Sequence, residues 1–333
     1  KFPDGENFYN FALQRTTTTD LSAQEIHQTG LAEVARIHDE MRAIMQKVGF
    51  KGNLSAFFDF MRTDKQFYYP NTPEGKEQYL ARAVDIIDSM RVRLDQLFIT
   101  QPKAELIVKP VEAYREKSAG KAFYNQPAPD GSRPGTYYAN LYDMANMPTY
   151  QMEALAYHEA IPGHHMQLSI AMELDGIAKF RKHEHFTAYI EGWALYTEFI
   201  PKSMGFYSDP YSDFGRLAME LWRACRLVVD TGIHWKKWSR EKAIKYLKDN
   251  TPNPEGDIVK AIERYIVMPS QATAYKIGML KIQELRAKAE TAMGDQFDVR
   301  KFHDVILTNG SVPLNILEEL VDDYIATKDA QNS

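Results

Sequence analysis

The chain has 333 residues, a formal net charge of -5, 44% hydrophobic residues and 26% charged residues. This length suffices for one large domain or two modest ones, and the composition is typical of globular proteins, while the small negative charge gives no reason to expect nucleic acid or an anionic membrane as a partner. A single cysteine, Cys225, excludes an internal disulfide framework.

The sequence contains neither an apolar run long enough to span a bilayer nor a signal peptide. It begins at Lys1 instead of a methionine, which is compatible with processing or truncation. We therefore expect no transmembrane segment in this chain.

The first part of the chain is predicted to be a connector followed by helices. Residues 1–20, which end in four threonines and an aspartate, are interpreted as the connector. Ser22 and Glu25 form a capping-box pattern, which predicts the start of a long amphipathic helix. We interpret residues 21–100 as scaffold. Its helices are expected at about 22–48, 54–62 and 74–97.

Residues 104–142 contain the clearest strand patterns. A short β-branched run at 105–109 and a second run at 136–142 flank a turn-rich loop at 127–135. Such a small sheet could offer an edge strand that lines a cleft, where an extended peptide adds by backbone pairing. Tyr138 is then a candidate contact to substrate. A merely structural hairpin explains the pattern equally well.

From Tyr150 onward the chain is predicted to be helical almost to its end. The expected helices lie at about 150–173, 178–200, 211–238, 240–249, 255–264, 270–292, 298–307 and 313–327.

The stretch 157–167 combines metal-ligating side chains with a carboxylate. His158 and Glu159 are followed by His164 and His165. Zinc hydrolases use a His-Glu pair and a further histidine to place two imidazoles and a general base around one metal. The spacing differs from H-E-x-x-H, because on a regular helix His158 and His164 would lie about 9 Å apart along the axis and about 120° apart around it. A shared metal therefore requires a break in the helix.

Pro162 and Gly163 supply residues for such a break, since proline removes a backbone donor and glycine tolerates unusual dihedrals. If they loop out, His164 takes the place of the second histidine of H-E-x-x-H, and we prefer it to His165 as ligand. Glu159 is then free to act as the general base, and His165 is left near the ligands or facing substrate. Alternatively, the Pro-Gly pair simply ends a helix.

A second stretch, 187–198, places Glu191 and Glu198 on one face of an otherwise apolar, aromatic helix. Buried carboxylates are costly unless they are paired or bind a metal. Glu191 would complete a His2Glu zinc site, and Gly192 would let another helix or the metal approach closely. Solvent exposure of both glutamates is the alternative.

Further along, Arg223, Arg226, Asp230 and His234 fall on one stripe of a helix. The two arginines are candidates for binding a substrate carboxylate. A buried structural ion-pair network is an equally good explanation of the stripe.

The motifs H-E-A-I-P-G-H-H-M-Q, at 158–167, and E-G-W-A-L-Y-x-E, at 191–198, resemble the bacterial family known as domain of unknown function 885. The resemblance extends from the threonine-rich connector through residues 133–136 to Pro269-Ser270-Gln271-Ala272, and family members run longer at the N-terminus. That family is regarded as a set of mostly helical zinc metallopeptidases of the gluzincin kind, with many envelope lipoproteins.

The resemblance implies His158, His164 and Glu191 as zinc ligands and Glu159 as the base. It also implies a location in the cell envelope or periplasm, although this chain carries no signal peptide.

Tyr275 is the candidate for stabilising an oxyanion. Pro269 could start a helix on which Gln271, Tyr275 and Gly278 share one face, and Gly278 would allow close approach of a neighbouring helix. Helical zinc peptidases commonly use a neutral donor, often a tyrosine hydroxyl. His234 is the rival donor, and packing in the core is the alternative for Tyr275.

Together these patterns predict a mainly α metallopeptidase-like domain at 21–333 with a small β-sheet beside the active-site cleft and the zinc-site helices in 150–333. The leading hypothesis is a Zn2+-dependent peptidase that acts on a peptide substrate. A zinc hydrolase of a non-peptide amide or ester, and a non-catalytic helical protein that binds metal, are the competing hypotheses.

Overall fold

The computed structural model describes residues 4–331, with side chains through Thr327, and shows a mainly α protein with one small sheet, as predicted. The helices are α1 Gly5–Thr17, α2 Ala23–Lys47, α3 Leu54–Thr63, α4 Pro73–Arg91, α5 Met152–Glu159, α6 His164–Glu173, α7 Lys179–His183, α8 Thr187–Phe199, α9 Pro210–His234, α10 Arg240–Asn250, α11 Glu255–Val267, α12 Ala274–Met293, α13 Val299–Leu307 and α14 Leu314–Gln331. The strands are β1 Leu106–Pro110, β2 Ala122–Asn125 and β3 Gly135–Ala139.

Residues 1–20 were predicted to be a connector, but most of them form helix α1. Residues 1–3 lie outside the described residues. Helix α1 buries Tyr9, Leu13 and Thr17, which recur every four residues and so share one face. Its polar composition gave no clear amphipathic signal, and the helix is stabilised by packing instead of by propensity.

Most other helices begin and end within a few residues of the predicted bounds. The helix predicted at 178–200 is an exception, because residues between α7 and α8 are extended. The helix predicted at 150–173 is interrupted between Glu159 and His164, as a shared metal requires.

The chain folds into two compact units. Unit 1 comprises residues 1–79, 143–154 and 199–277, and unit 2 comprises residues 80–142, 155–198 and 278–333. The residues of α4, α5, α8 and α12 are divided between the two units. One catalytic domain over 21–333, expected from the sequence, therefore corresponds to interleaved segments of two units.

Unit 1 is built around α2 and α9. Ser22 and Glu25 form the predicted capping box at the start of α2. Gly30 marks the closest approach of the two helices, since a Cβ there would collide with Leu227 and Val228. Aromatic side chains fill the adjoining core, among them Phe57, Phe67, Tyr150 and Phe214.

Unit 2 contains the sheet, whose strand order is β1-β3-β2. Strand β3 pairs parallel with β1 and antiparallel with β2. The two predicted strands are present, but β2 was missed, and the strand that carries Tyr138 is central instead of at an edge. The edges belong to β1 and β2, and α6 packs against β2 and β3. Within the described part of the chain, no helix is both long and apolar enough to cross a membrane.

Candidate metal centre

A break between helices α5 and α6 brings His158 and His164 of unit 2 together. Helix α5 ends at Glu159 and α6 begins at His164. The amide of His165 donates to the Ala160 carbonyl at 3.1 Å, so one hydrogen bond bridges the insertion. A Cβ on Gly163 would collide with the carbonyl oxygens of His158 and Tyr157, and only glycine lets the insertion pack this tightly. The break predicted from Pro162 and Gly163 is confirmed.

His158, His164 and Glu191 form a compact cluster of ligand atoms. One atom from each residue lies within 4.8 Å of the others. Oε2 of Glu191 is 3.5 Å from Nε2 of His158 and 3.5 Å from Nε2 of His164. The two imidazole rings are nearly perpendicular, with centroids 4.8 Å apart. Both nitrogens therefore face the same carboxylate oxygen.

The two histidines of the cluster are buried and Glu191 is half-buried, and the charges of the three groups depend on one another. Burial alone would raise the pKa of Glu191, but its interactions with His158 and His164 outweigh burial and hold that pKa well below the usual range. Burial would lower the pKa of His158, but Glu191 and Glu198 raise it to about 9. Among the described residues, neither Oε2 of Glu191 nor Nδ1 of His164 has a hydrogen-bond partner.

Glu198 orients the first histidine. Its Oε1 accepts a hydrogen bond of 2.7 Å from Nδ1 of His158, and the residue is 1% exposed. With the proton held on Nδ1, the Nε2 lone pair of His158 points to the cluster. One residue earlier on α8, the Thr197 hydroxyl donates to the carbonyl of Tyr157, which joins α8 to α5. The sequence singled out Glu198 without assigning it this role.

Glycines bring α12 against α8 next to Glu191. A Cβ on Gly192 would collide with the backbone of Gly278, and a Cβ on Gly278 would collide with the carbonyl oxygen of Ala188. The close approaches predicted at Gly192 and Gly278 are thus the same contact. Trp193, also on α8, donates its Nε1–H to the Pro162 carbonyl at 3.0 Å, which ties α8 to the insertion.

Glu159 is the last residue of α5 and is largely buried. Its charge is among those that raise the pKa of His158. The role of Glu159 as the general base stays a prediction.

His165 points away from the cluster and into the sheet. Its Nδ1 lies 2.9 Å from the hydroxyl of Tyr124 on β2, and the side chain is 1% exposed. Burial lowers the pKa of His165 to about 4. A Cβ on Gly135 would collide with both partners of this hydrogen bond. The structure therefore places His164, not His165, in the cluster. His165 contacts β2 in place of the substrate that was predicted.

Tyr138 lies on the face of β3 opposite to the buried Tyr137. Its ring stacks on Phe123 with centroids 5.0 Å apart, and the guanidinium carbon of Arg115 lies 4.9 Å from the Tyr138 centroid. These contacts fix the orientation of the ring. Its contact with a substrate stays a prediction.

The polar stripe and Tyr275 belong to unit 1. The guanidinium carbon of Arg226 lies 4.6 Å from the ring centroid of Tyr275, and that of Arg223 lies 5.9 Å from it. Within the stripe, Asp230 is fully buried, whereas Arg223, Arg226 and His234 are half-buried.

His234 is less suited to the role of oxyanion donor. Its Nε2 lies 2.8 Å from the carbonyl oxygen of Tyr265, which accepts the Nε2 proton. A neutral imidazole carries a single N–H, so none remains for an oxyanion. The role of Tyr275 as the oxyanion donor stays a prediction.

The fold is that of a mainly α protein, and the cluster has the donor set of a single-metal centre. The chain belongs to the family described as bacterial protein of unknown function (DUF885), whose model matches residues 1–321. No curated protein matches the chain.

The solved structures that resemble this chain include the following two. The crystal structure of a "putative lipoprotein" from Colwellia psychrerythraea is 40% identical and superposes with a TM-score of 0.95 over 98% of this chain. A "putative lipoprotein of unknown function" from Shewanella oneidensis is 21% identical, with a TM-score of 0.80 over 94% of this chain, and shows a similar fold. The chain spans 56% and 59% of those two chains, respectively.

Proposed function

We propose that this chain carries the catalytic centre of a zinc-dependent peptidase. One observation carries the proposal: a buried carboxylate oxygen of Glu191 lies 3.5 Å from Nε2 of both His158 and His164, with Glu159 adjacent in sequence to the first histidine. A buried carboxylate between two imidazoles is costly to maintain unless it is paired or binds a cation.

The donor set fits zinc. Ligand atoms held about 2.0–2.2 Å from one tetrahedral zinc lie about 3.3–3.6 Å apart, which matches the two 3.5 Å separations. Two imidazoles and one carboxylate are also the ligands of catalytic zinc sites that keep a fourth position open. Bound zinc would polarise a substrate carbonyl and lower the pKa of water to near 7.

The protein's own residues would perform the remaining steps. Glu159 would take a proton from the attacking water and pass it to the departing amine. Glu198 would keep the proton of His158 on Nδ1, so that Nε2 stays available as a ligand. Tyr275 would donate its hydroxyl to the oxyanion, which stabilises the charge that develops on the carbonyl oxygen.

The substrate is a peptide in this proposal. Arg223 and Arg226 would bind a carboxylate of the substrate, and both guanidinium groups already lie against the Tyr275 ring. An extended peptide could pair with an edge of the sheet, and Tyr138 would contact it. The family relatives described as lipoproteins support a location in the cell envelope.

The test combines metal analysis with a peptide-library screen. We expect about one zinc per chain, hydrolysis of peptides by the zinc-loaded protein, and loss of hydrolysis on treatment with a chelator followed by recovery on addition of zinc. Protein that holds no stoichiometric metal after incubation with zinc would contradict the proposal. Hydrolysis of esters or non-peptide amides alone would favour the broader hydrolase, and metal without turnover would favour a non-catalytic metal-binding protein.

A further inference from the structure

Trp193 is a fully buried residue of unit 2 that joins two of the ligand-bearing segments. It lies on α8, two residues after Glu191, and its Nε1–H donates to the carbonyl of Pro162 at 3.0 Å. Pro162 belongs to the insertion at 160–163, and His164, two residues further on, is the first residue of α6. One buried hydrogen bond therefore connects the helix that carries Glu191 to the segment that leads directly into His164.

The direction of the Trp193 indole is fixed by three rings that we call the aromatic cage, Phe98, Tyr196 and His303. Each cage residue is at most 1% exposed. Their ring centroids lie 6.1, 5.7 and 5.6 Å from that of Trp193, and the contacts with Phe98 and His303 are edge-to-face. A buried ring that is packed on several sides is confined to one rotamer, so the Nε1–H keeps its direction toward Pro162.

Hydrogen bonds hold the aromatic cage together. Nδ1 of His303 lies 2.9 Å from the carbonyl oxygen of Leu97, which accepts its proton. Burial lowers the pKa of His303 to about 3, so the ring is neutral and its Nε2 accepts from the Tyr196 hydroxyl at 3.0 Å. Nη1 of Arg286 in turn donates to the Tyr196 oxygen at 3.1 Å. The cage thus joins distant segments of unit 2 around one indole.

Helix α5 holds the other side of the insertion. A Cβ on Gly163 would collide with the carbonyl oxygens of Tyr157 and His158, so the insertion already lies directly against α5. The amide of His165 donates to the Ala160 carbonyl at 3.1 Å. The insertion is therefore held between α5 and the indole of Trp193.

The position of the insertion matters because a metal tolerates little error in the placement of its ligands. Nε2 of His164 lies 3.5 Å from Oε2 of Glu191. Zinc binds nitrogen at about 2.0–2.1 Å and carboxylate oxygen at about 2.0–2.2 Å. A shift of the insertion by about 1 Å would therefore carry His164 out of bonding distance of an ion held by Glu191.

We infer that Trp193 is a positioning residue for the metal centre, whose Nε1–H holds the insertion where His164 and Glu191 can bind the same ion. The inference rests on the proposed function for the presence of zinc. Trp193 is not a ligand and acts through His164. A tryptophan that only fills the core would contribute its ring alone, so the two roles differ in what the loss of the N–H does.

The test replaces Trp193 by benzothienylalanine in the full chain. This amino acid has nearly the shape of tryptophan but carries sulfur in place of the N–H, so packing is kept and the Pro162 carbonyl loses its donor. We expect zinc affinity to fall roughly 10–100-fold, as for other groups that orient metal ligands. Competition with a chelating dye measures the affinity. Wild-type affinity in this variant would overturn the inference. Trp193→Phe, which also shrinks the ring, should weaken zinc binding at least as much.

Tyr189→Phe is the matched control. Tyr189 is a buried residue of the same helix, and its hydroxyl donates to the carbonyl of Ile306 at 2.5 Å. The substitution removes a side-chain hydrogen bond to a backbone carbonyl without touching the insertion. It should lower the melting temperature and leave zinc affinity at the wild-type value. Equal losses of affinity in the control and the Trp193 variants would overturn the inference, since they would reflect a general weakening of unit 2.

Amide hydrogen exchange supplies a readout that needs neither zinc nor activity. In the metal-free benzothienylalanine variant, the amide of His165 should exchange faster than in the wild type, because the insertion is less firmly held. Unchanged exchange there would also overturn the inference. Wild-type protein that binds no zinc would instead contradict the proposed function, and the exchange measurement would still decide whether Trp193 holds the insertion.

Discussion

Two carboxylates, Glu191 in unit 2 and Asp230 in unit 1, have pKa values shifted in opposite directions, although burial raises both. The imidazoles beside Glu191 hold its pKa well below the usual range. Burial raises the pKa of Asp230 to about 6, although Tyr9 and the Ser270 amide donate to it. Glu191 faces groups that can carry positive charge, and the hydrogen-bond donors of Asp230 are neutral.

Under the proposed function, Glu191 belongs to a site that holds a cation, whereas Asp230 holds the chain at a junction. An ionised carboxylate beside two imidazoles attracts a metal, which displaces protons from the imidazoles and compensates for burial. Neutral donors satisfy the hydrogen-bonding capacity of Asp230 but compensate less for the cost of burying its charge. Substitutions at five residues test the roles of these two carboxylates and of the groups around them.

The largest expected effect follows from removing His164. His164→Ala deletes one of the three ligands, and we expect loss of bound zinc together with all measurable hydrolysis. His165→Ala is the matched control, since His165 bonds to Tyr124 and should be needed for packing alone. Elemental analysis after dialysis measures both. Full zinc occupancy in His164→Ala would exclude His164 as a ligand.

Replacing Glu159 separates the chemistry from the metal. Glu159→Gln keeps the size of the side chain but cannot accept the proton of water, so turnover should fall roughly 10²–10⁴-fold with zinc content unchanged. Steady-state rates and metal analysis on the same preparation check this. Near-normal turnover would remove Glu159 as the base.

Tyr275→Phe tests whether the Tyr275 hydroxyl stabilises the oxyanion. Loss of one oxyanion donor costs roughly 10²–10³ in kcat, or about 2.7–4 kcal/mol, and zinc content and KM should stay nearly constant. If kcat changes less than a few-fold, Tyr275 contributes packing only. His234→Gln is the comparison variant, and it should have a much smaller effect because His234 donates to a backbone carbonyl.

Asp230→Asn tests the opposite pKa shifts directly. With a folded pKa of about 6 against an ordinary value of 3.8, folded Asp230 binds a proton more readily than the unfolded chain does. Its contribution to stability is therefore largest below about pH 4, falls by roughly 3 kcal/mol as the pH rises to about 6, and is constant above. We expect that fall to be absent from Asp230→Asn in denaturant unfolding across this range. Equal pH dependence in both proteins would mean that Asp230 is ionised without penalty.

The smallest effect is expected at Glu198. Glu198→Gln can still accept from His158 but removes the negative charge behind the ring, and changes of this kind cost roughly 10–100-fold in metal affinity. Competition with a chelating dye measures the affinity. Glu284→Gln, at an exposed ion pair with Lys281, is the control and should match the wild type. An unchanged affinity in Glu198→Gln would show that the hydrogen bond alone orients His158.

Patterns within one element predicted most of the helices. Periodicity and caps located α2, α9 and most other helices, because those signals are local. Spacing also predicted the break at Pro162 and Gly163, since geometry forbids a regular helix from bringing His158 and His164 together. Helix α1 was missed because its stability comes from contacts with distant segments, and strand β2 was missed because its four residues are held by pairing with β3.

At the site, the donor types and the need for a break could be predicted from the sequence, because both depend on residue identity and local spacing. Tertiary packing set the directions of the side chains. It turned His165 toward Tyr124, placed Glu198 behind His158, and joined Tyr9 to Asp230 across 221 residues. Such pairings depend on which helix faces pack together, and packing is set by the whole chain, not by any one segment.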